Sequence, residues 1–279
     1  MKTIFDELSF KCSKNVTKSY STSFNWAVNM LSPSIQMDIH SIYGFVRFAD
    51  EIVDSFHGFD KESLIHDFEA DLYKAIKNKI SLNPILNAFQ FTVHKYQIDH
   101  ALINSFLKSM KMDLDKKNYN SIEEYKEYIF GSADAVGLMC LHVFVNGDKV
   151  LYDKLKESAM HLGSAFQKVN FLRDLKDDSE ILERSYFPNI DLNNLSKEMK
   201  AKIITEIEED FEKSKLGIRQ LPNSSKFGVY TAFVYYSRLL RKLKRTPFNE
   251  IMDTRIRVSN PLKVGLLCKA YLNFKLNLL

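Results

Sequence analysis

The chain has 279 residues, of which 45% are hydrophobic and 27% charged; these proportions exclude intrinsic disorder, a collagen-like fibre and a coiled-coil rod. A net charge of +4 falls well short of the concentrated basic face of a nucleic-acid binder, so no nucleic-acid partner is expected. Nine glycines and six prolines are few, and none of them forms a dinucleotide or Walker-type glycine array, which leaves long helices with few breaks. Cys12, Cys140 and Cys268 are odd in number and widely spaced, as free thiols in a reducing compartment would be. No signal-type segment or run of ~18 apolar residues occurs, so a cytoplasmic location is expected.

In chain order, apolar residues recur at spacings of three and four over 16–31, then over 35–56 beyond Ser32-Pro33, and both segments are predicted helices. Further helical patterns cover 61–80, 84–96, 101–114, 121–145, 150–177, 197–221, 226–243 and 261–274. Ser121 with Glu124 reads as a capping box, and Pro84, Pro222 and Pro261 sit where a first helical turn tolerates them. With no period-two strand, linker or repeat, the expected architecture is all-α: one domain over 1–279, a bundle of about ten helices.

Chemistry concentrates in two of these helices. Asp50 and Asp54 are one turn apart on one face, with Arg47 on the same stripe. Oxygen donors on a rigid helix suit magnesium, which takes one or two carboxylates from the protein and completes its shell with substrate phosphates. Read alone, the cluster is more readily a solvated acidic face with an Arg47–Asp50 ion pair, because charged residues at helical spacing are common. The second cluster changes that balance: Asn170, Asp174 and Asp178 form a ladder of fours, Gln167 extends it by a turn, and Arg173 lies beside it. Two such helices would make a cage for magnesium and diphosphate.

With both clusters in view, the sequence resembles the squalene/phytoene synthase family, which joins two prenyl diphosphates head to head. The landmarks are Ser21-Thr22-Ser23-Phe24, Tyr43 through Asp54, Met112-Asp113-Leu114, Val136-Gly137, Gly163-x-Ala165-Phe166-Gln167, Asn170-x-x-Arg173-Asp174-x-x-x-Asp178, Arg184-x-Tyr186-x-Pro188, Tyr236 and Arg255-x-Arg257-Val258-Ser259. Two departures stand out. Asp134 replaces a common glycine, which would put a carboxylate near the pocket wall, and Lys176-Asp177 replaces a common Gly-Glu.

The resemblance implies an isoprenoid-synthase bundle around a prenyl-diphosphate cavity. It implies that Asp50, Asp54, Asn170, Asp174 and Asp178 hold magnesium, or manganese in its place. Tyr20, Ser21, Thr22, Ser23, Tyr43, Arg47, Gln167, Asn170, Arg173, Arg184 and Tyr236 would bind diphosphates or the adjoining prenyl ends. Arg47, Asp50, Asp54, Arg173, Asp174, Asp178 and Tyr186 would carry the catalysis, with Arg184 and Tyr186 on a flap. The implied reaction is a 15-cis-phytoene synthase type of prenyl transfer, in which two geranylgeranyl diphosphates pass through a cyclopropyl diphosphate to phytoene without NADPH. Alternatives are a squalene or dehydrosqualene synthase using farnesyl diphosphate and, from another class, a catalytically silent scaffold. Phe24, Ala27, Val136 and Met139 are candidate tunnel-floor residues. The basic run 238–245 reads as a solvated face or a membrane-surface contact, and 260–279, with Lys263 and Lys269 among leucines, as core packing or a peripheral membrane contact.

Overall fold

A computed structural model describes residues 2–119, 121–180, 182, 184–188, 197–276 and 278. Its described residues are helical throughout, with a single isolated parallel bridge between Asn118 and Ser185. In chain order the helices are α1 Lys2–Tyr20, α2 Thr22–Asn29, α3 Pro33–Ser55, α4 Lys61–Asn78, α5 Pro84–Tyr96, α6 His100–Asp115 and α7 Ile122–Ile129. A π-turn, Phe130–Asp134, then leads into α8 Ala135–Phe144, α9 Lys149–Arg173, α10 Leu175–Glu180, α11 Lys197–Gln220, α12 Asn223–Arg245, α13 Phe248–Asp253 and α14 Asn260–Lys275.

Most predicted segments lie within a few residues of an observed helix; the corrections are informative. The 16–31 segment is two helices, because Ser21 leaves helical geometry and its hydroxyl caps α2, accepting from Phe24 N–H at 3.3 Å. That break turns Tyr20 and Ser21 toward α3. α1 begins fourteen residues before the predicted start, and its buried face is Ser9, Ser13 and Thr17 rather than leucines. Each of these hydroxyls bonds back to its own helix, and small side chains let α1 come close to Gly44 of α3, whose hydrogens lie against Ser13. The 121–145 helix is interrupted by the π-turn, and the 150–177 helix breaks for one residue at Asp174. The short α13 lies outside every predicted segment, so the bundle has fourteen helices among the described residues where about ten were expected. Ser121 caps α7 through Glu124 N–H at 3.1 Å, while the Glu124 carboxylate pairs with Lys116 at 2.9 Å.

A continuous core runs through the bundle, with Phe45 stacked on Phe89 at 4.1 Å between ring centres and fully buried. α9 packs along α11 on one side and along α8 and the π-turn on the other. The close approach to the π-turn depends on Gly163, where a Cβ would sit 2.9 Å from the Ala133 carbonyl oxygen and 3.2 Å from Asp134 Cα. Both neighbours are backbone, so neither can swing aside. Gly163→Ala is expected to cost about 1–3 kcal/mol by overpacking and to lower the melting temperature by several degrees, readable by calorimetry against wild type.

Candidate active site

α3 and α9 bring their acidic motifs to the same end of the bundle, each near a helix C-terminus, where the helix dipole already disfavours negative charge. On α3, Arg47 pairs with both Asp50 and Glu51, and its guanidinium lies 4.3 Å over the Tyr20 ring. Burial, then the neighbouring Asp54 charge, pushes Asp50 up to about 7. Tyr43, one turn before Arg47, stacks on Phe24 at 4.9 Å and interacts with Ser21; burial pushes its phenol up to about 12. Ser23 is half-buried on the first turn of α2, and Thr22 beside it is exposed.

On the facing helix, the ladder survives the break. Asp174 N–H donates to Asn170 O at 2.8 Å and Asp178 N–H to Asp174 O at 2.9 Å. Arg173 Nε donates to Asp174 Oδ1 at 2.8 Å, Tyr236 donates to Asn170 Oδ1 at 3.3 Å, and Gln167 to Ser132 at 3.4 Å. Burial and the charges of Asp174 and Asp54 raise Asp178 to about 8. Asp54 of the first motif is thus close enough for its charge to act on Asp178 of the second.

Arg184 joins them. It is 6% exposed, pairs with Asp54 at 2.6 Å and donates to the Asp113 carbonyl at 2.8 Å and to the Tyr186 hydroxyl at 3.3 Å. Tyr186 is stacked on Phe171 at 4.2 Å and on Tyr128 at 5.2 Å. Ser185 N–H donates to the Lys117 carbonyl at 2.8 Å. The flap expected here is therefore a pinned strap: aromatic packing and backbone bonding hold it against the core. Below it, Tyr128 donates to Asp113 Oδ2 at 2.7 Å, and burial pushes Asp113 up to about 7 against the pull of Arg184.

The structure thus gathers Tyr20, Ser21, Tyr43, Arg47, Asp50, Asp54, Gln167, Asn170, Arg173, Asp174, Asp178, Arg184, Tyr186 and Tyr236 around one mouth. It adds residues to which sequence reasoning gave no role. Glu51 shares Arg47, Asp113 and Tyr128 underlie Arg184, and Arg255 reaches Asp174 at 2.8 Å. Asp113 and Arg255 lie within landmarks already noted; only their roles lacked a signal.

Beneath the mouth an apolar cavity of about 270 Å³ runs between α2, α3, α8, α9, α11 and α12. Tyr43, Gln167, Ser132 and Tyr236 edge its upper end; Leu31, Phe144, Leu155, Ile218 and Leu221 lie toward the opposite end of the same helices. Phe24, Ala27 and Val136 line it as expected, with Phe24 near the mouth. Met139 is instead fully buried in the core outside its wall. Asp134 also turns away from the cavity, accepting from Ser164 at 2.7 Å, so its replacement of glycine leaves the wall apolar. Cys140 in the wall is an inert thiol, pushed up to about 12 by burial.

The donor set is oxygen-only, four carboxylates and the Asn170 amide, which suits magnesium. Among the described residues no three acidic, histidine or cysteine side chains form a ready-made metal site, and guanidinium groups neutralise the carboxylates instead. This fits an ion that takes few protein ligands and shares the rest with phosphate.

A helical bundle with two facing acidic motifs over an apolar cavity has the isoprenoid-synthase architecture. The sequence model of the squalene/phytoene synthase family matches residues 17–261, and the chain belongs to that family, whose members are prenyltransferases acting on prenyl diphosphates. It is 25% identical to Phytoene synthase 1, chloroplastic, of Solanum lycopersicum, over 92% of this chain and 66% of that one. It is likewise 25% identical to the 15-cis-phytoene synthase of Paracoccus sp., over 88% and 86%. The crystal structure of a dehydrosqualene synthase in complex with ligand superposes with a TM-score of 0.83 at 21% identity, covering 97% of this chain and 98% of that one.

The raised Asp178 has a thermodynamic consequence. The folded chain holds this proton up to about pH 8, whereas an unfolded aspartate loses it near pH 4. In the metal-free protein its ionisation therefore costs stability progressively as pH rises from about 4 to 8, and the cost is full above that. Asp178→Asn should raise the metal-free melting temperature at pH 8.5 by about 2–4 °C per kcal/mol relieved, with little gain at pH 5. An equal gain at both pH values would contradict the charge origin.

Proposed function

We propose that the chain is a magnesium-dependent phytoene synthase of carotenoid biosynthesis, joining two geranylgeranyl diphosphates head to head through a cyclopropyl diphosphate. The observation that carries this reading is the juxtaposition of two facing acidic motifs, rimmed by guanidinium groups, with an apolar channel directly beneath them. Asp50, Asp54, Asn170, Asp174 and Asp178 would hold magnesium, or manganese in its place, which would neutralise charge developing on the departing diphosphates.

The chain's own residues divide the remaining work. Arg47, Arg173 and Arg184 grip phosphate oxygens in forked geometry, exchanging their carboxylate partners for substrate. Tyr43, protonated at any physiological pH, donates beside the mouth together with Ser21, while Gln167 and Tyr236 orient the prenyl ends. Tyr186 acts by holding Arg184. The channel excludes water from the allylic cation and its cyclopropyl successor, either of which water would capture. The apolar wall offers no carboxylate to take the final proton, so departed diphosphate would serve as the base if the reaction ends by proton loss, an ending that consumes no nicotinamide.

The twenty-carbon substrate is supported by the names of the similar sequences and by the channel's length. Gln167 and Leu155, near its two ends, are twelve residues apart on α9, or ~18 Å at helical rise. Competition between farnesyl and geranylgeranyl diphosphate at equal concentration, with and without NADPH, tests it. Phytoene is the expected product in both conditions; exclusive use of farnesyl diphosphate would indicate a dehydrosqualene or squalene synthase instead. Absence of turnover with either substrate would favour the silent scaffold. Asp50→Asn and Asp174→Asn should each reduce turnover by about a hundredfold or more while circular dichroism and melting show an intact fold. Near-normal turnover in either would remove the magnesium assignment.

A further inference from the structure

The catalytic reading leaves unused a strong charge asymmetry. Residues 223–279 contain eleven lysines and arginines but two acids, Glu250 and Asp253, whereas residues 1–222 carry five more acids than bases. Neither α12 nor α14 contains a single Asp or Glu. α14 also presents large apolar side chains to solvent: Leu272 is 59% and Leu276 65% exposed, with Val264 and Tyr271 close to half exposed. Of its own residues only Ala270 is buried. Beside it a groove between α12 and α14 has Phe233, Val234 and Leu266 in its walls and Arg238, Arg241 and Lys269 along its edge. Burial, and then the nearby Arg257 charge, push the Lys263 ammonium at the start of α14 below its ordinary value.

The combination selects among occupants. A second copy of the same face would bring together two surfaces of like charge, which is unfavourable. A nucleic acid would satisfy the cations but gain nothing from exposed leucines. A surface that offers negative headgroups over an apolar layer satisfies both. Among the described residues no helix is long and apolar enough to cross a membrane, so contact would be in the interfacial plane. We propose that the α12–α14 face docks on an anionic phospholipid bilayer, with Leu272 and Leu276 entering the acyl boundary and Arg238, Arg241 and Lys269 meeting phosphate headgroups. Asn277 and Leu279, part of the 260–279 segment singled out in the sequence, lie outside the described residues.

Vesicle sedimentation with the full chain tests the proposal, comparing phosphatidylcholine alone with phosphatidylcholine mixed with phosphatidylglycerol. Wild type should partition strongly only to the anionic vesicles and lose binding in high salt. Arg238→Gln with Lys269→Gln should weaken that partition roughly thirtyfold. Leu272→Ser with Leu276→Ser should weaken it at least about tenfold. Both variants should keep the wild-type melting temperature and turnover on detergent-dispersed substrate. Equal binding to both vesicle types, wild-type partition by either double variant, or a solution dimer that Leu272→Ser with Leu276→Ser dissociates would overturn it.

Discussion

One buried guanidinium lets four carboxylates share the mouth of this bundle. Arg184 contacts Asp54 directly and lowers the proton affinity of Asp50, Asp113 and Asp178 as well. Even so, Asp50, Asp113 and Asp178 remain raised to about 7 or 8, because desolvation and mutual repulsion outweigh Arg184 together with Arg47 beside Asp50 and Arg173 beside Asp178. Helix C-termini on both sides add to the negative potential. The mouth thus crowds mutually repelling carboxylates around Arg184, whose strap is pinned by the stacking of Tyr186 on Phe171 and Tyr128.

The channel below follows the opposite rule. Its wall gathers small and apolar residues from several helices, and the polar groups that might have entered it are turned away or neutral. Asp134 is tied to Ser164 on the far face of the π-turn, Cys140 is held as a thiol, and His40, near the channel in sequence, is pushed down to about 4 by burial and bonded to Thr17 at 3.0 Å. Within the π-turn and the start of α8, Ala133 and Val136 face the channel while Asp134 is buried against α9 instead. Charge management at the mouth and charge exclusion below it are the two parts that the proposed chemistry would need: ionisation of a diphosphate, then a dry channel for the resulting cation.

Much of this was legible in the sequence, and what was not has physical causes. The two acidic motifs and the helices carrying them follow from spacings of three and four. α1 was half missed because its buried face is Ser9, Ser13 and Thr17, which pack by smallness and bond to their own helix; hydrophobic periodicity cannot see such a face. The break at Ser21 needs a side-chain cap recognised inside an apolar pattern. Arg184 was expected on a flap, and its burial was not legible because the strap is held by Tyr186 stacking on aromatic partners from α7 and α9, which no local signal announces. Asp113 was visible as a landmark, but its role depends on a tyrosine fifteen residues away and a guanidinium seventy-one away.

The second motif is also tied to a part of the molecule that sequence reading treated separately. Arg255, on the segment between α13 and α14, meets Asp174 at 2.8 Å, and two residues later the Arg257 carbonyl accepts from Lys242 of α12 at 2.9 Å. Lys176, two residues past Asp174, donates to the Asp253 carbonyl at 2.9 Å. Two of these contacts hold the start of α10 against the segment that leads into α14, and the third holds that segment to α12. Arg255 and Arg173 share the Asp174 carboxylate, so the segment leading into α14 supplies a guanidinium to the mouth itself, and the second motif is completed by a residue eighty-one positions away in the chain.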